Sequence, residues 1–531
     1  MATRFPPDHP PPRDTAPDRD VDRETLHALG YAQELARRLG GFSNFAISFS
    51  IICVLSGGVN SLAQATSGAG GAAIGIGWPL GVVLSGVFGV AMAQIASAYP
   101  TAGGLYHWGA ILGTRFTGWL TAWFNLLGLI TVMAAINVGT YYFLLGAFGA
   151  SLGLTDSMPL LMGWLVLLTG AQALVNHFGI GLTSTLTDFS GYLIFATVVA
   201  LTATCLTYAP GYDVARLVTF ANYSGEAGGN VWPATTGFGA FLLGLLMPVY
   251  TITGYDASAH TAEETRDAAR TVPRGIISSI LWSGLAGYLF LCAFVLMLPD
   301  LDQAARQGWN VFFWAFAQRV PRSLTTVLFV AILAAQILCG LATVTSASRM
   351  IYAFSRDGGL PFSTLLARVS PVHRTPVAAI WSGAAASVLF TWGAKWLEAG
   401  GTPVYSVVVS CTVIFLFFSS IIPIVLGLFA IGGPRWPRMG AWSIGRWGYR
   451  VFALLSVMSM ALIFSLGVQP PNTLALPVTV GFLMLTGLIW FGIERHRFTG
   501  PPQGEEILRR QQQIAEMEQS IGREVRRTNG K

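Results

Sequence analysis

Apolar residues run along this chain in long blocks parted by short polar joints, and the blocks have the length of a lipid crossing. A bilayer core of about 30 Å takes roughly 20 residues of helix to span. Segments that meet this requirement lie near residues 43–67, 74–98, 118–148, 159–178, 185–209, 236–262, 276–298, 323–353, 377–394, 404–430, 450–468 and 473–493. The pattern therefore predicts an all-α polytopic membrane protein with twelve transmembrane helices. An even number of crossings returns both termini to one side.

Two blocks break the pattern from within. The sixth runs into Gly254, Tyr255, Asp256, Ser258 and His260 where lipid-facing helices tolerate such residues poorly. A charged group at mid-bilayer costs about 2.5 to 3.5 kcal/mol on insertion scales, so something must offset Asp256. Gly-interrupted spans whose freed backbone lines a cavity mark binding sites in transporters, and Thr253 to Asp256 reads as the unwound middle of a broken helix. A kinked helix with Asp256 paired for packing alone is the other reading. The first block carries Ser56-Gly57-Gly58-Val59-Asn60-Ser61 at its centre. Each glycine there weakens a helix by about 1 kcal/mol relative to alanine. Broken ends can bind ions through amides or carbonyls, whereas close helix packing through small residues would use the same glycines. Two interrupted spans with four ordinary ones between them fit a five-plus-five inverted repeat.

Composition sharpens the class. Of 531 residues 53% are hydrophobic and only 11% charged, against about 25% charged in soluble domains. The net charge of +6 is an orientation signal, since most arginines sit at the ends of apolar blocks. Loops on the side of the termini hold twelve: Arg115, Arg266, Arg270, Arg274, Arg349, Arg356, Arg368, Arg374, Arg435, Arg438, Arg446 and Arg450. The opposite loops hold five cations, Arg216, Arg306, Arg319, Arg322 and Lys395. By the positive-inside rule both termini are cytoplasmic, in a multi-pass cell membrane protein. Cys53, Cys205, Cys292, Cys339 and Cys411 all fall inside apolar blocks without a CxxC pair, so neither a metal site nor a disulfide scaffold is indicated.

Residues 1–40 read as a cytoplasmic tail, disordered from Met1 to Glu24, where prolines and mixed charges replace any apolar block. Arg37 and Arg38 flank the first crossing. Residues 41–495 form the membrane domain and 496–531 a second cytoplasmic tail. Its stretch from Glu505 to Arg527 has a weak apolar stripe suited to a surface or partner helix.

Four stretches together resemble the amino acid-polyamine-organocation permeases, within them the amino acid/choline transporter branch. They are Ala93 to Trp108 (AQIASAYPTAGGLYHW), Gly254-Tyr255-Asp256 with Ala262-Glu263-Glu264-Thr265 and Val272-Pro273-Arg274, Ser348 to Pro361 (SRMIYAFSRDGGLP), and Pro371 to Pro376. The resemblance covers roughly residues 30–495. It implies a leucine-transporter-like fold with spans 1 and 6 broken, spans 1–5 and 6–10 inverted, and the substrate held between them against spans 3 and 8. On that implication Ser56, Gly57, Gly58 and Val59 hold a substrate carboxylate. Thr253, Gly254, Tyr255 and Asp256 face its amino group or side chain, with Tyr255 at the aromatic gate position.

The driving ion is where the sequence departs from the family. Span 5 has no Lys where some proton-coupled relatives place one, and of the adjacent hydroxyl residues of sodium-coupled relatives only Thr343 is matched, beside Ala342. Thr343 and Asp188 are the candidate ion-coupling residues, H⁺ or Na⁺ being the ion; for Asp188 a helix N-cap is the favoured reading. Glu263, Glu264, Arg266 and Arg270 mix signs at the inner end of span 6 and read as a gate network, joined by Arg349, or as solvated charges. Arg349 and Asp357 tie the end of span 8 to nearby loops, His107 reads as structural, and Trp119 with Trp123 as packing, four residues apart.

An enzyme would need a nucleophile with its base or a metal-spaced cluster, and neither is present in a plausible setting. The expectation is a secondary transporter that imports a zwitterionic amino acid or 4-aminobutyrate-like compound by alternating access, ion-coupled, with no cofactor. A choline, ethanolamine or polyamine permease, or a nutrient receptor on the same scaffold, are the alternatives.

Overall fold

The computed structural model describes residues 17–396, 404–470, 472–473, 475–502 and 514. Among the described residues the secondary structure is helical, with isolated bridges only at Leu39 to Thr265 and Ile431 to Trp436. Eleven helical segments among the described residues are long and apolar enough to cross a membrane. The sixth expected crossing is delivered instead as short pieces, Gly237–Gly244, Leu246–Thr251 and Ala257–His260, none of which spans alone. The first is likewise divided, into Gly41–Ile52 and Gly57–Asn60.

Around these two interrupted segments stand long helices whose inward faces are buried. The third span, Arg115–Leu144, and the eighth, Arg322–Arg356, pack against each other and bury most of their length. The tenth, Val404–Ala430, lies along the third, and the seventh, Ala268–Met297, along the first and second. In lipid the hydrophobic effect does not drive helices together, so contact depends on close approach and on polar bonds between them. Both are present: Asn137 on the third span donates to Gln172 and Thr169 on the fourth at 2.9 Å, and Gln172 donates to the Ile337 carbonyl of the eighth at 2.9 Å. Trp119 and Trp123 pack edge to face at 6.0 Å between ring centroids.

Three boundaries differ from expectation. Residues Pro17–Ala28, which begin inside the stretch expected to be disordered, form a helix. Leu26, Tyr31, Leu35 and Leu39 are buried, so residues 26–40 belong to the body of the protein. Charge does the anchoring that apolar periodicity would do elsewhere: Asp22 accepts the amides of Asp267 and Ala268 at 2.8 and 3.0 Å and so caps the seventh span. At the other end Phe498 is buried against Tyr106, Phe354 and Trp490, which extends the body past residue 495. Glu505 to Arg527 lies outside the described residues, Ile514 excepted. Finally, Asp188 does not cap a helix. Its helix starts at Ile180, because the helical stretch begins ahead of the apolar block, and the carboxylate accepts Ser43 Oγ at 2.9 Å.

Candidate functional site

The two interruptions lie against each other. A Cβ on Gly57 would stand 2.9 Å from Thr251 Cα, and one on Gly254 only 2.2 Å from Ile51 Cγ2. Gly254 also has φ +88, a conformation that other residues adopt only with strain. Glycine at each break is what lets the other break approach.

Each break releases backbone groups from helical bonding. At the first break, the amides of Ser56 and Gly57 both donate to the Cys53 carbonyl, at 2.8 and 3.0 Å, and Val59 donates to Val54 at 3.2 Å. The turn closes on itself only in part, since the amides of Val54 and Leu55 donate to no acceptor among the described residues. Its outward carbonyls are taken by the eighth span, through Gln336 Nε2 to Leu55 at 2.9 Å and Cys339 Sγ to Ile51 at 3.5 Å. At the second break the amides of Thr253, Gly254, Tyr255 and Asp256 donate to no acceptor among the described residues. Unsatisfied amides in a bilayer cost several kcal/mol each, so four in succession at a buried position require a partner from outside the chain.

Asp256 stands at the end of that run. Asn125 Nδ2 of the third span donates to its Oδ2 at 3.2 Å, and His260 Nε2 lies 3.4 Å from the same oxygen. A cavity of about 10 Å³ adjoins Thr253, Gly254, Tyr255 and Asp256 and is closed on its far side by Leu416, Phe417 and Ser420 of the tenth span. That is room for about one water. The tenth span thus walls the cavity, and the third span reaches Asp256 beside it through Asn125. Ser56, Gly57 and Gly58 do not line this cavity.

Val59 and Asn60 line a separate and far larger cavity of about 650 Å³, with Tyr142, Trp309, Lys395 and Tyr405 among its walls. It opens at the end of the bundle remote from Glu263 and Glu264. Of the eight expected substrate residues, Thr253, Gly254, Tyr255 and Asp256 line the small buried chamber and Val59 lines the larger vestibule, while Ser56, Gly57 and Gly58 line neither.

The opposite end is shut by charge. Glu264 and Arg349 form a two-pronged pair, Nε to Oε2 at 2.9 Å and Nη2 to Oε1 at 3.0 Å, both side chains fully buried. Glu263 is paired in the same manner with Arg356, at 2.9 and 3.1 Å, and accepts the Ala102 amide at 3.1 Å. Burial pushes the Glu263 carboxyl up, but the Arg356 guanidinium and the Ala102 amide outweigh it and hold the group below the usual carboxylate range. Arg266 and Arg270 stay out of this cluster: Arg270 is exposed and pairs with Asp267. Solvated charge is the right reading for Arg270 and the wrong one for the glutamates.

Over these pairs lies the segment ahead of the first span. Tyr31 Oη donates to Asp357 Oδ2 at 2.8 Å, an oxygen also met by Tyr106 at 2.9 Å and by His107 Nε2 at 3.2 Å. Arg37 donates to the carbonyls of Ala262 and Thr265. His107 is fully buried and bonded at both nitrogens, Nδ1 to Thr101 at 2.7 Å, which fits a structural role.

Thr343 donates to Gly340 of its own helix at 2.7 Å and touches neither cavity. Sequence reasoning missed Asn125, Gln336 and the polar seam of Asn44 and Ser48, which bonds the first span to Ser258, Thr261, Thr265 and the Tyr255 carbonyl. Each is a polar residue inside an apolar block, and that rarity was the available signal.

A family model described as amino acid permease matches residues 39–493. The chain is similar to Amino-acid permease BAT1 of Arabidopsis thaliana, 34% identical over 91% of this chain and 97% of that protein. Its rice homologue, Amino-acid permease BAT1 homolog of Oryza sativa subsp. japonica, is 33% identical over 91% and 96%. The GABA-specific permease of Saccharomyces cerevisiae is 29% identical over 69% of this chain and 65% of its own length.

Proposed function

Because the chain belongs to the amino acid permease family of the amino acid-polyamine-organocation superfamily, we propose that it imports a zwitterionic amino acid or a close analogue such as 4-aminobutyrate by alternating access. One observation carries the reading: four consecutive undonated amides end at a buried carboxylate, Thr253 to Asp256. Amides bind a carboxylate and Asp256 binds an ammonium, so this single stretch offers both halves of a zwitterion its counterpart. Val59 and the neighbouring Ser56, Gly57 and Gly58 form the threshold between the vestibule and that chamber.

In this reading the termini and the glutamate–arginine pairs face the cytoplasm, in the cell membrane, and Glu263, Glu264 and Arg349 are the inner gate. The vestibule faces outward. The shut inner end and open outer end correspond to a carrier awaiting substrate, with the chamber collapsed to the size of a water. An ion gradient drives accumulation, and the first and sixth spans rock against the third, fourth, eighth and ninth as the two halves of an inverted repeat.

Purified protein in liposomes preloaded with unlabelled amino compounds tests this. Saturable counterflow of labelled neutral amino acids or 4-aminobutyrate is the expected result. Binding without flux would make the protein a receptor, flux without saturation a channel, and counterflow confined to choline or polyamines would move the substrate class.

A further inference from the structure

The inner ends of the tenth and eleventh spans carry charge that neither the gate nor the chamber uses. Residues 399–493 contain no Asp or Glu, and their charged residues are Arg435, Arg438, Arg446 and Arg450. All lie at the joint between Val404–Ala430 and the eleventh span, Gly445–Gly467. Arg435, Arg438 and Arg446 are exposed, and Arg450 is half-buried. None of them pairs with a carboxylate among the described residues, whereas Arg270, Arg349, Arg356 and Arg497 at the same end of the bundle each do. The positive-inside rule accounts for the side of the membrane on which these arginines lie. It does not account for their crowding without a counter-charge.

The joint is held in one place by the second span, Gly77–Ala98, and the residue after it. The Trp442 amide donates to Ser97 Oγ at 2.8 Å, the Ile444 amide to Gln94 Oε1 at 3.1 Å, and Tyr99 Oη to the Arg435 carbonyl at 2.7 Å. Trp436 is buried edge-on against Tyr449, with ring centroids 4.8 Å apart. The Gly432 amide closes the intervening turn on the Trp436 carbonyl at 3.0 Å. A Cβ on Gly432 would stand 3.2 Å from the Arg446 guanidinium, so Arg446 folds back over the turn that carries Arg435. Arg435 itself donates to the Leu112 carbonyl at 3.5 Å, which offers no charge. Cations fixed near one another repel, and an anion from outside the chain relieves that repulsion.

The apolar neighbours of the arginines identify the anion. Trp447 is 76% exposed with the Arg450 guanidinium 5.2 Å over its ring, and Phe429, at the end of the tenth span, is 81% exposed. From Trp447 an exposed apolar stripe of Val451, Leu454 and Met458 follows the eleventh span at steps of three and four residues. Cations beside an interfacial tryptophan, with an apolar helix face leading away from them, match a phosphate headgroup and its acyl chains. A soluble phosphate or an acidic peptide would leave the stripe uncovered. We propose that the inner ends of the tenth and eleventh spans bind an anionic phospholipid of the cytoplasmic leaflet, its phosphate against Arg435, Arg438 and Arg446 and its acyl chains along Trp447 to Met458. The leaflet follows from the orientation given above, and the binding does not depend on what the protein carries. A lipid seated there joins the second, tenth and eleventh spans and stabilises their packing.

Thermal denaturation of the full-length protein in detergent tests this, with phosphatidylglycerol as the probe and phosphatidylcholine of the same acyl chains and glycerol 3-phosphate as comparisons. Phosphatidylglycerol should raise the Tm in a saturable manner, and the other two should not. An arginine near the membrane surface changes affinity for anionic lipid about fivefold, so Arg438→Gln combined with Arg446→Gln should raise the phosphatidylglycerol concentration at half-shift about thirtyfold. Both side chains are exposed, and the Tm in detergent alone should stay as in the parent protein. Native mass spectrometry makes the same comparison by counting retained lipid, whatever the Tm of the variant. Equal shifts with phosphatidylglycerol and phosphatidylcholine would overturn the proposal, as would a variant that holds phosphatidylglycerol as tightly as the parent does. A shift produced by glycerol 3-phosphate alone would also overturn it, and would make the surface a site for soluble anions. The counterflow assay is separate, so its failure would remove the permease reading and leave this one standing.

Discussion

At the scale of single residues, two positions hold the chamber's geometry and each predicts a measurable failure. Gly254 combines φ +88 with Ile51 Cγ2 where its Cβ would be. Left-handed backbone costs a non-glycine residue about 1–2 kcal/mol, and overpacking adds roughly 1–3. Gly254→Ala should therefore abolish uptake, while the rest of the bundle still inserts; uptake per unit of membrane-extracted protein makes the comparison, and normal uptake would remove the need for an unwound segment. Arg349→Ala strands the buried Glu264 carboxylate. Breaking one side of such a pair costs about 3–5 kcal/mol, whereas replacing both partners with apolar residues is often neutral. Thermal denaturation in detergent should show a marked loss for Arg349→Ala and recovery of most of it in Arg349→Met with Glu264→Leu. Gly254 and Asp256 were legible in the sequence because each is an expensive exception within an apolar run. Their partners were not: Asn125 lies 131 positions from Asp256, and only packing decides which polar residue of a distant span arrives there.

At the scale of elements, the least legible piece was the segment before the first crossing. Nothing in its composition signals order, since its prolines and alternating charges give no apolar stripe. Its order comes from the far side of the interface. The first amides of the helix Ala268–Met297 lack partners within that helix, as every helix N-terminus does, and Asp22 supplies an acceptor from outside it. Tyr31 then closes over Asp357 and stacks on His107 at 5.1 Å. Removing a cap of this kind costs about 0.5–2 kcal/mol. Asp22→Ala should lower thermal stability by that amount. Tyr31→Phe, which keeps the ring stack and loses the bond to Asp357, should admit a water-soluble thiol reagent to a cysteine at Ala102 more rapidly than in the parent protein. Equal labelling rates would mean that the segment covers the gate without holding it. The interrupted spans were the more legible elements, since glycine and polar residues in a lipid-length block leave few other readings. Even there, how many amides each break would leave open was beyond the sequence, because it depends on how tightly each turn winds.

At the scale of the whole molecule, the arrangement is asymmetric about the membrane plane: a cavity of about 650 Å³ at one end, paired and largely buried charges at the other. The twofold organisation expected from the spacing of the breaks is consistent with a carrier that exchanges these two conditions. In an alternating-access cycle the closed end must at some point look like the open one. Two of its four charged groups, Glu263 and Glu264, ride on the sixth span, while Arg349 and Arg356 ride on the eighth. Opening therefore separates two ion pairs together, and water must replace each partner. The broken helix makes this feasible, because the short piece Ala257–His260 and the turn after it can swing without bending a continuous span. With the five native cysteines replaced, a single cysteine at Asn60 should react with a membrane-impermeant thiol reagent added outside, and one at Ser258 should not. Substrate under turnover should slow the first and expose the second to reagent trapped inside. If both sites kept their labelling rates throughout, the glutamate–arginine pairs would be fixed struts, and the path through the protein would have to bypass them.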